Sequence, residues 1–320
     1  MPFSSIIGHD RPVAILKRAL ANDAVAHAYL FSGEPGIGKR LTALEFAAAL
    51  NCQTPGPDGG CGVCAACSRI PAGSHPDVRT IAPDGDEIKI DQIRQAQADL
   101  SLRPFEGRRK VLIIDGAEAM NEASSNAFLK TLEEPPGDSL IILITAMPQS
   151  LLATIRSRSQ ELKFQPLPRG VLAGVLKERR GLGDEDAWFA AALSRGSIGR
   201  ALDMDVAEER TVREQYRALT AGLAGMQDEE VLAVAEGVAK DRDGFVRLID
   251  IGIERLRDEA VLSITGNERL LVYGAAGQGT FPLPKLLRTM DLLTESRQLL
   301  DRRVSAQLVA ERLFFRLARS

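Results

Sequence analysis

Over residues 27–165, short continuous apolar runs alternate with helix-length stretches. Ala28–Phe31 is apolar and enters a glycine loop, after which Ile37–Leu50, rich in Ala, Leu and Phe, predicts a helix. Val78–Ile81 predicts a short strand and Lys89–Leu102 a helix. Val111–Ile114 is apolar at every position, the pattern of a strand buried on both faces of a parallel sheet. Asn121–Glu133 predicts a helix stopped by Pro135 and Pro136. Leu140–Thr145 is a second buried strand, and Leu151–Ile155 a short helix. Repeated strand–helix units predict an α/β domain with a parallel sheet covered by helices.

The pattern changes at Gln165-Pro166-Leu167-Pro168, which predicts a hinge. Residues 169–206 predict two or three short helices. Residues 208–320 predict helix nearly throughout, apart from the glycine-rich stretch Gly274–Gly279. A final amphipathic helix is expected to carry Leu292, Leu293, Leu299, Leu300, Val304, Leu308 and Leu313 on roughly one face, turned to a core or to partner helices. The expected division is therefore 1–166, 167–207 and 208–320, without an internal repeat.

Composition narrows the function. The chain has 320 residues, 45% hydrophobic and 26% charged, with a net charge of -3. A self-sufficient DNA binder is usually basic, because phosphate contacts dominate affinity. Any DNA contact is therefore local or shared with partners. No run approaches the roughly 18 apolar residues of a membrane span. Residues Met1–Asp10 lack the basic and then apolar order of a secretory signal. Both observations predict a cytoplasmic chain with reduced cysteines.

Gly33-Glu34-Pro35-Gly36-Ile37-Gly38-Lys39-Arg40 fits GxxxxGK between a strand and a helix. Inward-pointing N–H groups of Gly33, Gly36 and Gly38 would form an anion nest, with Lys39 reaching the terminal phosphates of ATP or ADP. The next position needs Ser or Thr to ligate magnesium, and here it is Arg40. Thr42 lies further along the helix and points elsewhere. Val111–Asp115 has the form of a magnesium-binding acidic strand, with Asp115 at its end. The residue after it, where an active ATPase of this type carries Glu, is Gly116, and Glu118 is displaced by two positions. One metal ligand and one base are missing, so nucleotide binding is compatible with this pattern and hydrolysis is not.

All the cysteines fall together: Cys52, Cys61, Cys64 and Cys67, spaced C-x8-C-x2-C-x2-C. Four thiolates complete a tetrahedral structural zinc site with no open position for chemistry. Two disulfides and an iron–sulfur cluster are the alternatives. His75 is an additional possible ligand, but four sulfurs already close the site.

Several strings together resemble bacterial clamp-loader subunits of the AAA+ class. Ile6-Ile7-Gly8-His9 is similar to the family's N-terminal segment, and His27–Phe31 to its strand into the phosphate loop. Asn126-Ala127-Phe128-Leu129-Lys130-Thr131-Leu132-Glu133-Glu134-Pro135-Pro136 is the most specific match. Thr145 falls at the family's sensor 1, Ser157-Arg158-Ser159 at its arginine-finger motif, and Gly196–Leu202, with Arg200, at its sensor 2. The likeness is strong over residues 1–206 and only one of pattern beyond. It implies a RecA-like AAA+ domain with a zinc-binding insertion, a small helical lid and an all-α collar. It implies a hetero-pentamer with motor subunits and a delta subunit, loading a sliding clamp on primed DNA. Arg40 and Gly116 point to the family's stator branch, which supplies an arginine in trans, here Arg158, instead of hydrolysing ATP. Arg156 is the competing arginine. An active motor ATPase and a zinc-dependent nucleic-acid module remain the alternatives.

Overall fold

The computed structural model describes residues 2–223, 225–267, 270–271 and 282–319. The chain divides into two compact units, Met1–Val175 with Ser194–Leu202, and Leu176–Leu193 with Asp203–Ser320. The expected loop Gly274–Gly279 lies outside the described residues.

In the first part of the chain the helices are α1 (Asp10–Ala21), α2 (Lys39–Asn51), α3 (Ala65–Arg69), α4 (Ile90–Leu100), α5 (Glu122–Glu133), α6 (Ala153–Ser157) and α7 (Arg169–Arg180). The strands are β1 (Ala28–Ser32), β2 (Val78–Ile81), β3 (Lys110–Asp115), β4 (Ser139–Thr145) and β5 (Gln160–Lys163). All pairings are parallel, in the order β2-β3-β4-β1-β5. Successive residues of a strand face opposite sides, so a strand covered on both sides must be apolar throughout. Thus Val111 and Ile113 pack with Phe46 and Ala47 of α2, while Leu112 and Ile114 pack with Ile93 of α4 and Phe128 of α5. Strand β5 was not anticipated from the sequence. Gln160, Glu161 and Lys163 are exposed and only Leu162 is buried, so this edge strand carries no apolar run.

The chain continues through α8 (Asp184–Leu193), α9 (Ile198–Asp203), α10 (Val206–Leu223), α11 (Asp228–Ala239), α12 (Arg242–Thr265), α13 (Leu283–Asp301) and α14 (Ala306–Ala318). The second unit is all-α among its described residues, with a core that includes Phe245, Ile249, Leu286, Leu293, Leu313 and Phe314. Arginines join its helices: Arg210 of α10 pairs with Glu185 and Asp186 of α8, and Arg247 of α12 with Glu208 and Glu209 of α10. The expected single final helix is two. It breaks at Arg302–Ser305, where Arg303 takes φ 62°, and Leu308 turns out to solvent at 62% exposure. The leucine spacing continues across the break, which is why periodicity alone did not reveal it. No described helix is long and apolar enough to cross a membrane.

Candidate functional site: a phosphate loop and a four-cysteine cluster

The two candidate sites stand at opposite ends of α2. At its N-terminal end, β1 gives way to residues 33–38, and the loop is shaped by Gly33, Gly36 and Gly38 at φ 147°, 72° and 108°. A Cβ at Gly33 would meet the Phe164 carbonyl oxygen at 2.5 Å, and one at Gly36 would meet Ser197 Oγ at 2.4 Å. These positions combine a left-handed backbone with close neighbours, so glycine is required twice over. The N–H of Gly33 donates to the Thr145 carbonyl at 3.2 Å, and that of Gly199 to the Gly36 carbonyl at 2.9 Å. The ends of β1 and β4 and the start of α9 are thereby fixed around one loop.

Lys39 is buried, and its ammonium donates to the carbonyls of Gly33 at 2.5 Å and Glu34 at 2.7 Å. Burial lowers its pKa, against the opposing pull of Glu118, Asp115 and Glu34. Arg40 Nε lies 3.7 Å from Asp115 Oδ2. Burial raises the Asp115 pKa, and Arg40 and Lys39 pull it back. A guanidinium therefore balances the carboxylate that a magnesium ion would need. Gly116 has φ 81°, and a Cβ there would meet Pro83 at 3.3 Å, so a Glu side chain at this position would be strained. Glu118 is engaged elsewhere, accepting from the Ala146 N–H at 3.0 Å. Thr42 Oγ1 donates back to the Gly38 carbonyl, as its place on the helix predicts.

The structure gathers Gly33, Gly36, Gly38, Lys39, Asp115 and Thr145 at the carboxyl ends of β1, β3 and β4, where ligands bind in open parallel sheets. Thr145 is buried, and its Oγ1 accepts from the Met147 N–H at 3.0 Å. Arg200 stands beside the loop through its backbone N–H, 3.3 Å from Ser197 Oγ, with its side chain exposed. Arg158 has other partners: it caps α6, pairs with Glu133 at 2.9 Å and donates to the Thr154 carbonyl at 3.2 Å. Arg156 is exposed. Sequence reasoning gave His9 no role. Its Nε2 donates to the Ile37 carbonyl at 2.6 Å beneath the loop, and burial lowers its pKa. Its signal in the sequence was its place as the last residue of the Ile6-Ile7-Gly8-His9 string.

At the other end of α2, the sulfurs of Cys52, Cys61, Cys64 and Cys67 all lie within 4.8 Å of one another, and Cys52 and Cys64 are 3.8 Å apart. Zn–S bonds of about 2.3 Å in a tetrahedron put sulfurs about 3.8 Å apart, so the donor set fits a zinc-sized ion. The N–H groups of Cys61 and Cys64 donate to the sulfurs of Cys52 and Cys61 at 3.2 and 3.3 Å. N–H donors from Val63 and Cys64 pull the Cys61 pKa down to about 6, which favours the thiolate there, whereas burial pushes the Cys67 thiol up to about 12. The glycines permit this packing; a Cβ at Gly60 would meet Cys67 Sγ at 2.8 Å. His75 is not a ligand here. Its Nδ1 accepts from the Asp77 N–H at 3.2 Å and its Nε2 faces Glu106 at 3.8 Å, in keeping with four sulfurs closing the site by themselves.

The parallel order, the phosphate loop after β1 and the acidic residue closing β3 define a RecA-like AAA+ domain. A family model described as "DNA polymerase III, delta subunit" matches residues 8–168. DNA polymerase III subunit delta' of Pseudomonas aeruginosa is 35% identical over 284 residues, covering 85% of each chain. The Bacillus subtilis subunit delta' is 42% identical over 157 residues, 49% of this chain and 47% of that one. The Bacillus subtilis subunit tau is 37% identical over 176 residues, 55% of this chain and 31% of that one. The chain belongs to the delta-prime family of DNA polymerase III clamp-loader subunits.

Proposed function

We propose that this chain is the stator of a clamp loader that places the sliding clamp on primed DNA at the expense of ATP. It joins motor subunits and a delta subunit in a hetero-pentamer and acts in the cytoplasm. Residues 1–166 serve as the nucleotide-binding-like domain, 167–207 as the lid and 208–320 as the collar through which subunits assemble. Its own phosphate site (Gly33, Gly36, Gly38, Lys39, Asp115, Thr145 and Arg200) holds nucleotide at most and does not hydrolyse it. Cys52, Cys61, Cys64 and Cys67 hold one structural zinc.

The observation that carries this reading is the Arg40–Asp115 pair beside Gly116. Phosphoryl transfer needs a metal bridging the phosphates and a residue that orients water. Arg40 takes the metal's charge-balancing place at Asp115, and the left-handed backbone at Gly116 disfavours a base. Arg158 acts on a neighbour's nucleotide instead. Its planar, permanently charged fork suits phosphate oxygens. It is partly exposed and held by one carboxylate, and such a surface pair contributes about 1 kcal/mol or less. Exchanging Glu133 for a triphosphate therefore costs little.

The test is steady-state ATP hydrolysis by the isolated chain. Turnover is expected to be indistinguishable from background and unaffected by Lys39→Ala. Turnover like that of an active AAA+ enzyme, abolished by Lys39→Ala, would mean that the chain is a motor.

A further inference from the structure

The magnesium ion that phosphate loops employ does not fit this one. The metal needs a hydroxyl next to the loop lysine and a carboxylate at the end of the neighbouring strand. The first place is held by Arg40, and its guanidinium already stands beside the carboxylate, with Nε 3.7 Å from Asp115 Oδ2. A second cation at Asp115 would be repelled by the first. Arg40 is not spent by this contact. At that distance the two charges meet without a hydrogen bond, and the Arg40 side chain is 63% exposed. None of its N–H donors has a hydrogen-bond partner among the described residues. The backbone beside it is equally open. Three successive N–H groups, those of Gly36, Ile37 and Gly38, donate to nothing among the described residues. Helix α2 then begins at Lys39 without a side-chain cap. Free N–H groups at a helix start, followed by a lysine and an arginine, suit phosphate oxygens.

Past the lysine the field changes sign. Glu118, Asp115 and Glu34 all act on the Lys39 ammonium, Glu118 most strongly. One Glu118 oxygen is buried with no hydrogen-bond partner. In a phosphate loop of the usual kind the lysine reaches the last two phosphates, and the metal screens the last one from acidic neighbours. Without the metal, a third phosphate would face these carboxylates directly, whereas the first two need only the free N–H groups and the two cations. Given the phosphate site proposed above, we infer that this loop binds a nucleoside diphosphate without magnesium, with Arg40 in the metal's stead, and discriminates against the triphosphate. A guanidinium is permanently charged and its planar fork can hold two phosphate oxygens, so it replaces the ion in charge and in grip. Asp115 then has no metal to hold. It serves only as the resting partner of Arg40, and its own charge opposes the ligand.

The test is calorimetric titration of the full chain with ADP and with ATP, in EDTA and in excess magnesium. Wild type should bind ADP in EDTA and more weakly in magnesium, because the ion ties up the diphosphate in solution. ATP in EDTA should bind roughly tenfold more weakly than ADP. Lys39→Ala should abolish binding, which places it at this loop. Arg40→Ser supplies the missing hydroxyl and removes the guanidinium, so ADP should then bind roughly tenfold more tightly with magnesium than in EDTA. Asp115→Asn keeps the shape of the side chain and gives the sharpest sign. It removes a charge that repels phosphate and frees Arg40, so ADP in EDTA should bind more tightly than to wild type. A site that used the metal would instead lose affinity in that variant. Tighter binding of ADP to wild type in magnesium than in EDTA overturns the inference, and so does a preference for ATP. Failure of wild type to bind any nucleotide overturns it as well, yet leaves the stator reading standing, since that reading rests on the lack of hydrolysis and on Arg158.

Discussion

The two ends of α2 carry two loop-built sites of opposite character. At the N-terminal end the backbone frame of a phosphate loop is complete, with its glycines at positive φ, while Arg40 and Gly116 stand where hydrolysis would call for a hydroxyl and a carboxylate. At the C-terminal end the chemistry is complete, four sulfurs within bonding reach of one ion. The contrast separates scaffold from reaction. Gly33 and Gly36 lie against the Phe164 carbonyl and Ser197, so the phosphate loop holds β1, β4 and α9 together whether or not nucleotide is cleaved. The cysteine loop is fastened too, by the Gly56–Gly59 bridge and by the Phe3 N–H, which donates to the Asp58 carbonyl at 3.0 Å, but its one helix, α3, spans only Ala65–Arg69, so a bound ion would add cohesion where the four sulfurs meet.

If that comparison is right, the largest loss comes from the cysteine end. Cys67→Ala should remove the stoichiometric zinc and destabilise the chain by about 4 kcal/mol, as loss of a structural metal does. Metal analysis with thermal melting checks this, and iron in place of zinc would sink the assignment.

An intermediate loss is expected at the phosphate loop. Gly36→Val places a Cβ against Ser197 in a left-handed backbone and should cost roughly 2–3 kcal/mol. Ser197→Gly in the same chain should recover part of it. A loop that tolerates valine would not be a structural joint.

The smallest effect is electrostatic. Burial raises the Asp115 pKa above its ordinary value, and Arg40 opposes that rise. A carboxyl raised on folding is most favourable when protonated, so its contribution to stability is fullest at low pH and lost as pH climbs through the folded pKa. Arg40→Ala raises the pKa further and deepens that loss. Urea unfolding should therefore show a cost of under about 1 kcal/mol near neutral pH, fading toward about pH 4. A cost independent of pH would mean that Arg40 acts through packing.

Legibility in the sequence followed the same division. Strands β1, β3 and β4 were readable because burial on both faces makes them apolar throughout, and Pro135-Pro136 marked the end of α5. Strand β5 was not, because at the sheet edge three of its four side chains meet water. The break between α13 and α14 falls at Arg302-Arg303-Val304-Ser305, with neither glycine nor proline to announce it. The phosphate loop and the cysteine set were visible as spacings of residue types. What each replaced residue does was not. That Arg40 cannot bind magnesium follows from its chemistry, whereas its pairing with Asp115 needs two distant segments brought together by the sheet. The resting of Arg158 on Glu133 is likewise a tertiary fact, from two elements 25 residues apart in number.

The central claim is that this chain lacks hydrolysis of its own and completes a neighbour's site. It is tested most directly by DNA- and clamp-stimulated ATP hydrolysis of the reconstituted complex carrying Arg158→Ala. A trans arginine is worth about 10³ to 10⁵ in rate at the site it serves. Only the motor site facing this subunit loses it, so the account predicts normal assembly with a partial fall in total hydrolysis and slower clamp loading, and a smaller effect from Arg156→Ala. Unchanged rates in a normally assembled complex would contradict it and leave Arg158 as a surface partner of Glu133.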